Sequence, residues 1–340
     1  MSLFSPDIIH DAILAERKPI MAFDESCAFE EYQKAVREKL TELLGDMPEY
    51  TEPEIFIEWE KEHKGYTEKR FRFISEKFDN KAVITVPCHL LIPHDVPKPC
   101  PVVICLQGHS SGMHVSMGRA ASQEDERLIA VDENFGMSAL AQGYAVLCME
   151  QRAFGERKSD RTEGLTTCHH PAMNALLIGR TIIGERVWDV SRAIDVLETF
   201  PEIDHNKIAC MGNSGGGTAT YYSACVDKRI KVVMPSCCVC AYKKSIGAME
   251  HCVCNYIPKI SKYFDMGELS CLIVPRPLIV IAGNNDPIFP IEGTREVFDV
   301  IKKIYAKAGH RDKCRLVVGE GEHRFFANEG WKAFVEICGW

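Results

Sequence analysis

The chain has 340 residues, of which 46% are hydrophobic and 26% are charged. These proportions are typical of a globular protein with a sizeable core, and they exclude a disordered, fibrous or membrane-embedded chain. The net charge is −8 and no basic cluster is present, so nucleic acid is excluded as a partner. The sequence has no uninterrupted apolar run of roughly 18 residues, so we predict no membrane-spanning helix.

The cysteine count of sixteen is high, but most cysteines lie in apolar segments such as PVVICLQG and YAVLCME. Thiols in such segments are expected to be buried and free, which favours a reducing, cytoplasmic location. The N-terminal segment MSLFSPDIIHDAILAERKPI has neither an unbroken apolar core nor a small-residue cleavage site. We therefore predict no signal peptide.

The elements at the start of the chain are predicted to be helices followed by antiparallel strands. Residues 1–50 form a helical extension, in which apolar residues recur at helical spacing from Phe29 to Leu44 and Gly45 ends the helix. Alternating residues over 54–93, interrupted by glycine and an Asp-Asn pair, predict an antiparallel meander.

Residues 51–340 predict a single α/β domain. The apolar strands are predicted at 101–108, 144–151, 207–214, 230–238, 277–284 and 314–321, with helices that include 181–200 and 292–309. Continuous apolar strands that alternate with helices predict a doubly wound, mostly parallel sheet. Three stretches, 109–136, 153–180 and 236–272, do not fit the alternation, and we expect irregular loops there, over a site.

The segment ACMGNSGGGTAT places Ser214 where an apolar strand gives way to a helix. From Gly212 to Gly216 it has the pattern G-x-S-x-G, and a strand-to-helix turn is the setting of a nucleophile elbow. The small residues Gly212 and Gly216 allow the sharp turn. The N-terminus of the following helix stabilises developing negative charge. A phosphate loop is disfavoured because no lysine follows, and a dinucleotide fingerprint is not matched.

Two further residues complete a triad in the order serine, acid, histidine. Asp286 follows the apolar strand PLIVIAGN, and His323 follows the strand CRLVVGEG. In this scheme His323 accepts the proton of Ser214, while Asp286 fixes the imidazole tautomer and stabilises its charged form. Taken singly, Asp286 is a turn residue and His323 a surface histidine, but three matches in order at strand ends favour a triad.

An oxyanion hole needs two backbone N–H groups. We expect one from Gly215, the residue after the nucleophile, and the other from His109, in the loop after the strand PVVICLQG. The side chain of His109 is then left to line the pocket or to face solvent.

These residues resemble the acetyl xylan esterase-like branch of the α/β-hydrolases, which is related to dienelactone hydrolases and prolyl-oligopeptidase-type catalytic domains. The resemblance rests on LQGHSSG, MEQRAFGER, GRTIIGERVWDVSRAIDVL, GNSGGG, AGNNDPIFP and GEGEHRF. It implies an α/β-hydrolase fold and a serine esterase, and members of this branch often act on acetylated sugars. The chain departs by carrying Gln107 where many hydrolases have a histidine, and Arg152 is expected to brace loops.

Other candidate residues are less specific. His169, His170 and Phe289 are predicted to line the pocket, although solvation or packing is favoured over catalysis for the two histidines. A group of possible metal ligands comprises Cys237, Cys238, Cys240, His251, Cys252 and Cys254. Their C-x-C spacing is unlike that of zinc sites, so we expect buried or pocket-lining thiols, with no metal and no cofactor.

We therefore expect a serine carboxylic-ester hydrolase that deacetylates a small or sugar-type ester through an acyl-enzyme. A prolyl-oligopeptidase-type serine peptidase is one alternative, although the segment before the fold is short for a propeller. A non-catalytic α/β-hydrolase that serves as a binding protein is another, and the intact triad argues against it. The expected partner is a small-molecule ester, and a homo-oligomer is a further expectation because relatives often assemble.

Overall fold

Nine strands form one sheet in the computed structural model, which describes residues 4–161 and 167–340. In chain order they are β1 (Ile55–His63), β2 (Tyr66–Phe78), β3 (Ala82–Pro93), β4 (Cys100–Leu106), β5 (Ala145–Met149), β6 (Ile203–Asn213), β7 (Ile230–Ser236), β8 (Leu278–Gly283) and β9 (Cys314–Gly319). Their spatial order is β1-β2-β3-β5-β4-β6-β7-β8-β9. The pairs β1–β2, β2–β3 and β3–β5 are antiparallel, and the other neighbouring pairs are parallel. The predicted sheet, mostly parallel with antiparallel first strands, is confirmed.

The helices of the described residues are α1 (Asp7–Glu16), α2 (Phe29–Leu44), α3 (Gln123–Ala130), α4 (Phe135–Ala141), α5 (His169–Leu177), α6 (Ile182–Leu197), α7 (Gly215–Val226), α8 (Ile260–Tyr263), α9 (Met266–Leu269), α10 (Ile291–Lys307) and α11 (Ala327–Cys338). Helix α2 ends as the sequence predicts, because Gly45 takes a φ of +89° that does not continue a helix. Its buried face, which includes Val36 and Leu40, shares a hydrophobic core with α6 and the sheet.

Side chains alternate along the central strands and divide the core in two. On β4, Val102 and Ile104 share a core with α6 and α7, whereas Val103 and Cys105 share one with α4 and α11. Strands buried on both faces explain the continuous apolar sequences. Helices on both sides make the sheet doubly wound, as predicted.

The three stretches that interrupt the strand–helix alternation carry short helices. Helix α3 lies within 109–136, α5 within 153–180, and α8 and α9 within 236–272. Residues 162–166 of the second stretch lie outside the described residues. The polar helix α3 begins at Ser122, whose hydroxyl caps its N-terminus, and so it forms without a long apolar pattern. All three stretches lie beyond the carboxyl ends of strands, the edge where open α/β sheets bind ligands.

All sixteen cysteines are free thiols, and most of them are buried. Among the described helices, none combines the length and apolar character needed to cross a bilayer.

Candidate active site

Ser214 stands at the turn between β6 and α7. Its backbone has a φ of +55° and a ψ of −122°, a conformation that residues with side chains rarely adopt. The Ser214 N–H donates to the carbonyl oxygen of Ser236 at 2.9 Å and holds the turn against β7. A sharp, strained strand-to-helix turn is the conformation of a nucleophile elbow.

The glycines around this serine are required by close backbone contacts. A Cβ on Gly216 would lie 1.9 Å from the carbonyl oxygen of Leu106, and a Cβ on Gly212 would lie 2.5 Å from the same oxygen. A Cβ on Gly217 would lie 2.6 Å from the carbonyl oxygen of Ser236. Helix α7 can therefore approach β4 and β7 only because side chains are missing at these positions.

Asp286 and His323 meet at the ends of β8 and β9. The Oδ2 atom of Asp286 lies 2.8 Å from His323 Nδ1, and its Oδ1 accepts the backbone N–H groups of Ile288 and Phe289 at 2.8 and 2.9 Å. Burial raises the pKa of Asp286, but these hydrogen bonds, with the one from His323 largest, outweigh it and leave the pKa below its usual value. An ionised Asp286 directs the proton of the imidazole to Nδ1 and leaves Nε2 as a base.

Phe289 supports this pair. Its ring stacks on the imidazole of His323, with centroids 5.7 Å apart and planes 18° apart, while its N–H caps Asp286. The side chain predicted to line the pocket is therefore buried against the imidazole.

Ser214 and His323 are connected through β7. Among the described residues, no hydrogen bond joins Ser214 Oγ to His323. Ser236 nevertheless contacts both segments, because its carbonyl oxygen accepts the Ser214 N–H and its hydroxyl donates to the carbonyl oxygen of Arg324 at 3.5 Å. Catalytic hydrogen bonds often tighten only when substrate is bound.

The two predicted oxyanion donors are neighbours. A Cβ on Gly215 would lie 3.1 Å from the ring of His109, and a Cβ on Gly108 would lie 3.1 Å from Ser214 Cβ. Within the part of the chain that the structure describes, the backbone N–H groups of Gly215 and His109 have no acceptor. Two unpaired N–H groups beside a nucleophile suit the binding of an oxyanion.

The side chain of His109 contacts thiols, which sequence reasoning missed. Its Nε2 lies 3.3 Å from Cys254 Sγ and 3.9 Å from Cys168 Sγ, and its ring packs edge-on against Phe154. Burial lowers the pKa of His109, but hydrogen bonds with Cys168 and Cys252 outweigh it and raise the pKa to about 9. Cys168 and Cys254 lie 59 and 145 residues away from His109 along the chain, so no local motif points to them.

The cysteines that the sequence offers as one group lie in separate places. Cys252 and Cys254 lie beside His109, whereas Cys237 Sγ donates to the carbonyl oxygen of Arg324 at 3.2 Å, next to His323. Burial raises the pKa of Cys237 to about 12, so it is a neutral thiol.

A buried glutamate, Glu150, braces the loops around the site. It accepts the side-chain amide of Gln107 and the N–H groups of Met113 and Glu156, the last two at 3.3 Å. Burial raises its pKa to about 7. Gln107, which departs from the pattern of many hydrolases, thus binds Glu150 through its side chain. The sequence feature that could have revealed this role is the position of Glu150 directly after a continuous apolar strand, β5.

A second buried acid, Glu133, supports the nucleophile turn. Its Oε1 accepts the side-chain amide of Asn213 at 2.6 Å, one residue before Ser214. Burial raises the pKa of Glu133 to about 8. Asn213 is the unspecified position before the serine in G-x-S-x-G, which is why the motif gave no sign of this contact.

Arg152 braces loops, as expected from the resemblance. It donates to both carboxylate oxygens of Asp189 at 2.9 and 3.1 Å and to Glu76 at 3.0 Å. Arg157 donates to the same Asp189 at 2.8 Å. These contacts tie the segment after β5 to α6 and β2.

A cleft of about 760 Å³ opens beside His109. Serine and threonine hydroxyls line it, together with the charged groups of Glu124, Asp125, Lys158 and Asp160. The described residues that line this cleft include neither Ser214, Asp286 and His323 nor the two predicted pocket histidines. These two histidines belong to α5, where His169 is exposed and His170 lies 3.3 Å from the amide of Asn174.

Comparison with known proteins agrees with this geometry. Residues 3–329 match the model of the Abhydrolase family. The chain belongs to the abhydrolase family. It is 26% identical over 292 residues to "Putative hydrolase YtaP" of Bacillus subtilis (strain 168), a match that covers 84% of this chain and 92% of that protein. The family predicted from the motifs is thus confirmed.

Solved structures share the fold at low sequence identity. A structure described as a "putative acetyl xylan esterase" from Bacteroides fragilis NCTC 9343 has a TM-score of 0.75 and 17% identity, and the match covers 99% of this chain and 90% of that one. The glucuronoyl esterase from Solibacter usitatus has a TM-score of 0.69 and 14% identity over 95% and 97% of the two chains. Methylesterase BT1017 has a TM-score of 0.69 and 19% identity over 98% and 68%. Their likeness to this abhydrolase establishes the α/β-hydrolase fold.

Proposed function

We propose that the protein is a serine carboxylic-ester hydrolase with Ser214 as its nucleophile. The strained backbone of Ser214 carries the proposal, because a nucleophile elbow holds a side-chain-bearing residue at positive φ between small residues, as Ser214 is held between Gly212 and Gly216. The hydrogen-bonded pair of Asp286 and His323 supplies the general base.

The reaction follows from these positions. His323 Nε2 takes the proton of Ser214 as Oγ attacks the ester carbonyl, and the backbone N–H groups of Gly215 and His109 stabilise the oxyanion. The imidazolium, stabilised by Asp286, then protonates the departing alcohol and leaves an acyl-enzyme. A water molecule deprotonated by His323 attacks the acyl carbonyl and forms a second tetrahedral intermediate. As this intermediate collapses, His323 returns the proton to Ser214 Oγ, and the acid and the free serine are released.

For the substrate, we propose an acetyl ester of a sugar-type alcohol. The serine and threonine hydroxyls of the cleft suit a polyol. Among the described residues that line it, the carboxylates of Glu124, Asp125 and Asp160 outnumber the ammonium of Lys158 and disfavour an anionic substrate. Two of the compared structures are described as acetyl xylan and glucuronoyl esterases, and both names concern sugar-derived esters.

Hydrolysis of p-nitrophenyl acetate tests the nucleophile. Ser214→Ala is expected to lower kcat by at least about 10⁴-fold, because the remaining groups cannot form an acyl-enzyme. The matched control, Ser26→Ala, changes an exposed serine and is expected to keep full activity. Equal, slow hydrolysis by wild type and Ser214→Ala would contradict the proposal.

A substrate panel separates the alternatives. It comprises acetylated xylo-oligosaccharides, a methyl ester of glucuronic acid and an aminoacyl nitroanilide. We expect the highest kcat/KM on the acetylated sugars. Preference for the nitroanilide would favour the peptidase, and a folded wild type inert on every ester would favour the binding protein.

We also propose a reducing, cytoplasmic location, because twelve of the sixteen cysteines are buried free thiols. Fractionation of the source cells with an antibody to the chain tests this, and recovery from the medium would contradict it.

A further inference from the structure

Four potential metal ligands meet beside the nucleophile turn. His109, Cys168, Cys252 and Cys254 each offer one ligand atom, and all four atoms lie within 4.8 Å of one another. The four residues, here called the thiol cluster, come from the three stretches that follow β4, β5 and β7. Cys168 and Cys254 are fully buried, and the other two are partly buried.

The spacing of the thiol cluster suits a tetrahedral zinc ion. Zinc binds thiolate sulfur at about 2.3 Å and imidazole nitrogen at about 2.0–2.1 Å. Bonds of these lengths at tetrahedral angles place the ligand atoms roughly 3.6 to 3.8 Å apart. The separations of 3.3 and 3.9 Å from His109 Nε2 to Cys254 Sγ and Cys168 Sγ lie on either side of these values. Three cysteines and one histidine also form a donor set of closed structural zinc sites.

The buried Arg186 provides an independent observation. Its side chain is 1% exposed, yet none of the ion pairs among the described residues includes it. It donates to the carbonyl oxygen of Arg152 at 2.8 and 3.2 Å and to Cys168 Sγ at 3.5 Å, and its guanidinium lies over the ring of Phe154. Its Nη1 has no partner among the described residues. A buried charge normally has a counter-charge.

A zinc ion in the thiol cluster provides that counter-charge. One Zn²⁺ bound by three thiolates and one neutral imidazole carries a net charge of −1, because the three thiols release their protons on binding. The charge lies directly against the guanidinium of Arg186, whose donor atom already contacts Cys168. The ion therefore binds all four ligand atoms, and the anionic complex gives Arg186 its counter-charge.

We propose that His109, Cys168, Cys252 and Cys254 bind one structural zinc ion. Four protein ligands leave no open position for water, so the ion does not act on the ester. Its role is to join the three stretches around the cleft and to fix His109, whose backbone N–H is a proposed oxyanion donor. This proposal departs from the sequence-based expectation of a chain without metal, which rested largely on C-x-C spacing.

Metal analysis of the full chain, purified without chelator, tests the proposal. We expect about one zinc ion per chain in wild type and in Ser214→Ala, because the nucleophile is not a ligand. Cys252→Ser changes a partly buried ligand and is expected to lower the zinc content at least about tenfold. Cys314→Ser, which changes a partly buried thiol outside the thiol cluster, is the matched control and should retain zinc. A folded wild type that contains no zinc and takes up none would overturn the proposal.

Cobalt substitution gives a readout that does not depend on activity or on the folding of a variant. Wild type loaded with Co²⁺ is expected to show thiolate-to-cobalt charge-transfer bands and the intense d–d bands of tetrahedral cobalt. Weak d–d bands of octahedral cobalt without charge transfer would contradict a thiolate site. A disulfide among Cys168, Cys252 and Cys254, found by mass spectrometry of unreduced protein, would also overturn it. Zinc content and ester hydrolysis are measured separately, so either proposal can fail alone.

Discussion

The two sides of the candidate active site are positioned by different means. On one side, Ser214, Asp286 and His323 each follow a parallel strand, and the sheet brings the strand ends together. On the other side, the stretches after β4 and β5 are held by buried polar contacts such as those of Glu150 and Arg152. The sheet side is therefore positioned mainly by backbone, whereas the loop side depends on a few side chains that each hold several groups.

The largest expected effect tests the sheet side. In Asp286→Asn, Oδ1 still accepts the N–H groups of Ile288 and Phe289, so the amide NH₂ faces His323 Nδ1. That amide favours the tautomer whose Nε2 carries the proton, which cannot accept the proton of Ser214. We expect kcat on p-nitrophenyl acetate to fall by about 10³–10⁴-fold, with little change in Tm.

The control for this variant is Asp312→Asn, which removes an exposed carboxylate of the same type. A loss of activity in Asp286→Asn that is matched by a large fall in Tm would mean that Asp286 acts through the fold and not through the imidazole.

The next effect tests how closely the elbow is packed. In Gly216→Ala, the new Cβ would lie 1.9 Å from the carbonyl oxygen of Leu106, so β4 and α7 must move apart. We expect the free energy of unfolding, measured in urea, to fall by about 3 kcal/mol. Gly309→Ala meets no atom within 4 Å but has a φ of +79°, so it is expected to cost about 1 kcal/mol. Equal losses in the two variants would show that the contact with Leu106 does not limit the approach of α7.

The smallest expected effect tests the loop side through the protonation of Glu133. The pKa of Glu133 is raised from 4.5 to about 8, so the folded protein holds this proton longer than the unfolded chain does. Stability is therefore lost as pH rises between these two values. Glu133→Gln stays neutral and can still accept the amide of Asn213. We expect it to match wild type near pH 4.5 and to be more stable near pH 8 by on the order of 2 kcal/mol. The full shift corresponds to roughly 5 kcal/mol, and relaxation and water entry around the ionised carboxylate reduce this difference.

Glu49→Gln is the control, since it removes an exposed carboxylate. A difference between Glu133→Gln and wild type that stays constant with pH would show that the two side chains differ in packing and not in charge.

The same contrast explains what could be predicted from the sequence. The placement of Ser214, Asp286 and His323 at strand ends was predictable because each follows a continuous apolar strand, and the order of strands in a parallel sheet then sets their neighbours. Their catalytic roles stay a prediction. The end of α2 was predictable because Gly45 breaks a regular apolar pattern. In both cases the signal is local, spanning only a few residues.

The loop side was not predictable, because its contacts join residues far apart in the chain. Glu133 and Asn213 are 80 residues apart, and His109 and Cys254 are 145 apart. The pair His169 and His170 was expected in the irregular stretch 153–180, but both residues belong to α5, and Pro171 follows them. Proline is compatible with the first turn of a helix, where its missing N–H has no partner to lose, and α5 begins there.

The backbone of Ser214 has a further consequence for the evolution of the protein. A side-chain-bearing residue at a φ of +55° costs the folded state roughly 1–3 kcal/mol. Glycine would adopt the same turn without that cost, and it would remove the hydroxyl. At position 214, stability therefore favours glycine, whereas the proposed chemistry requires serine. In a library selected only for thermal resistance, loss of the serine is expected to be among the changes that raise stability, so such a selection needs an activity screen beside it.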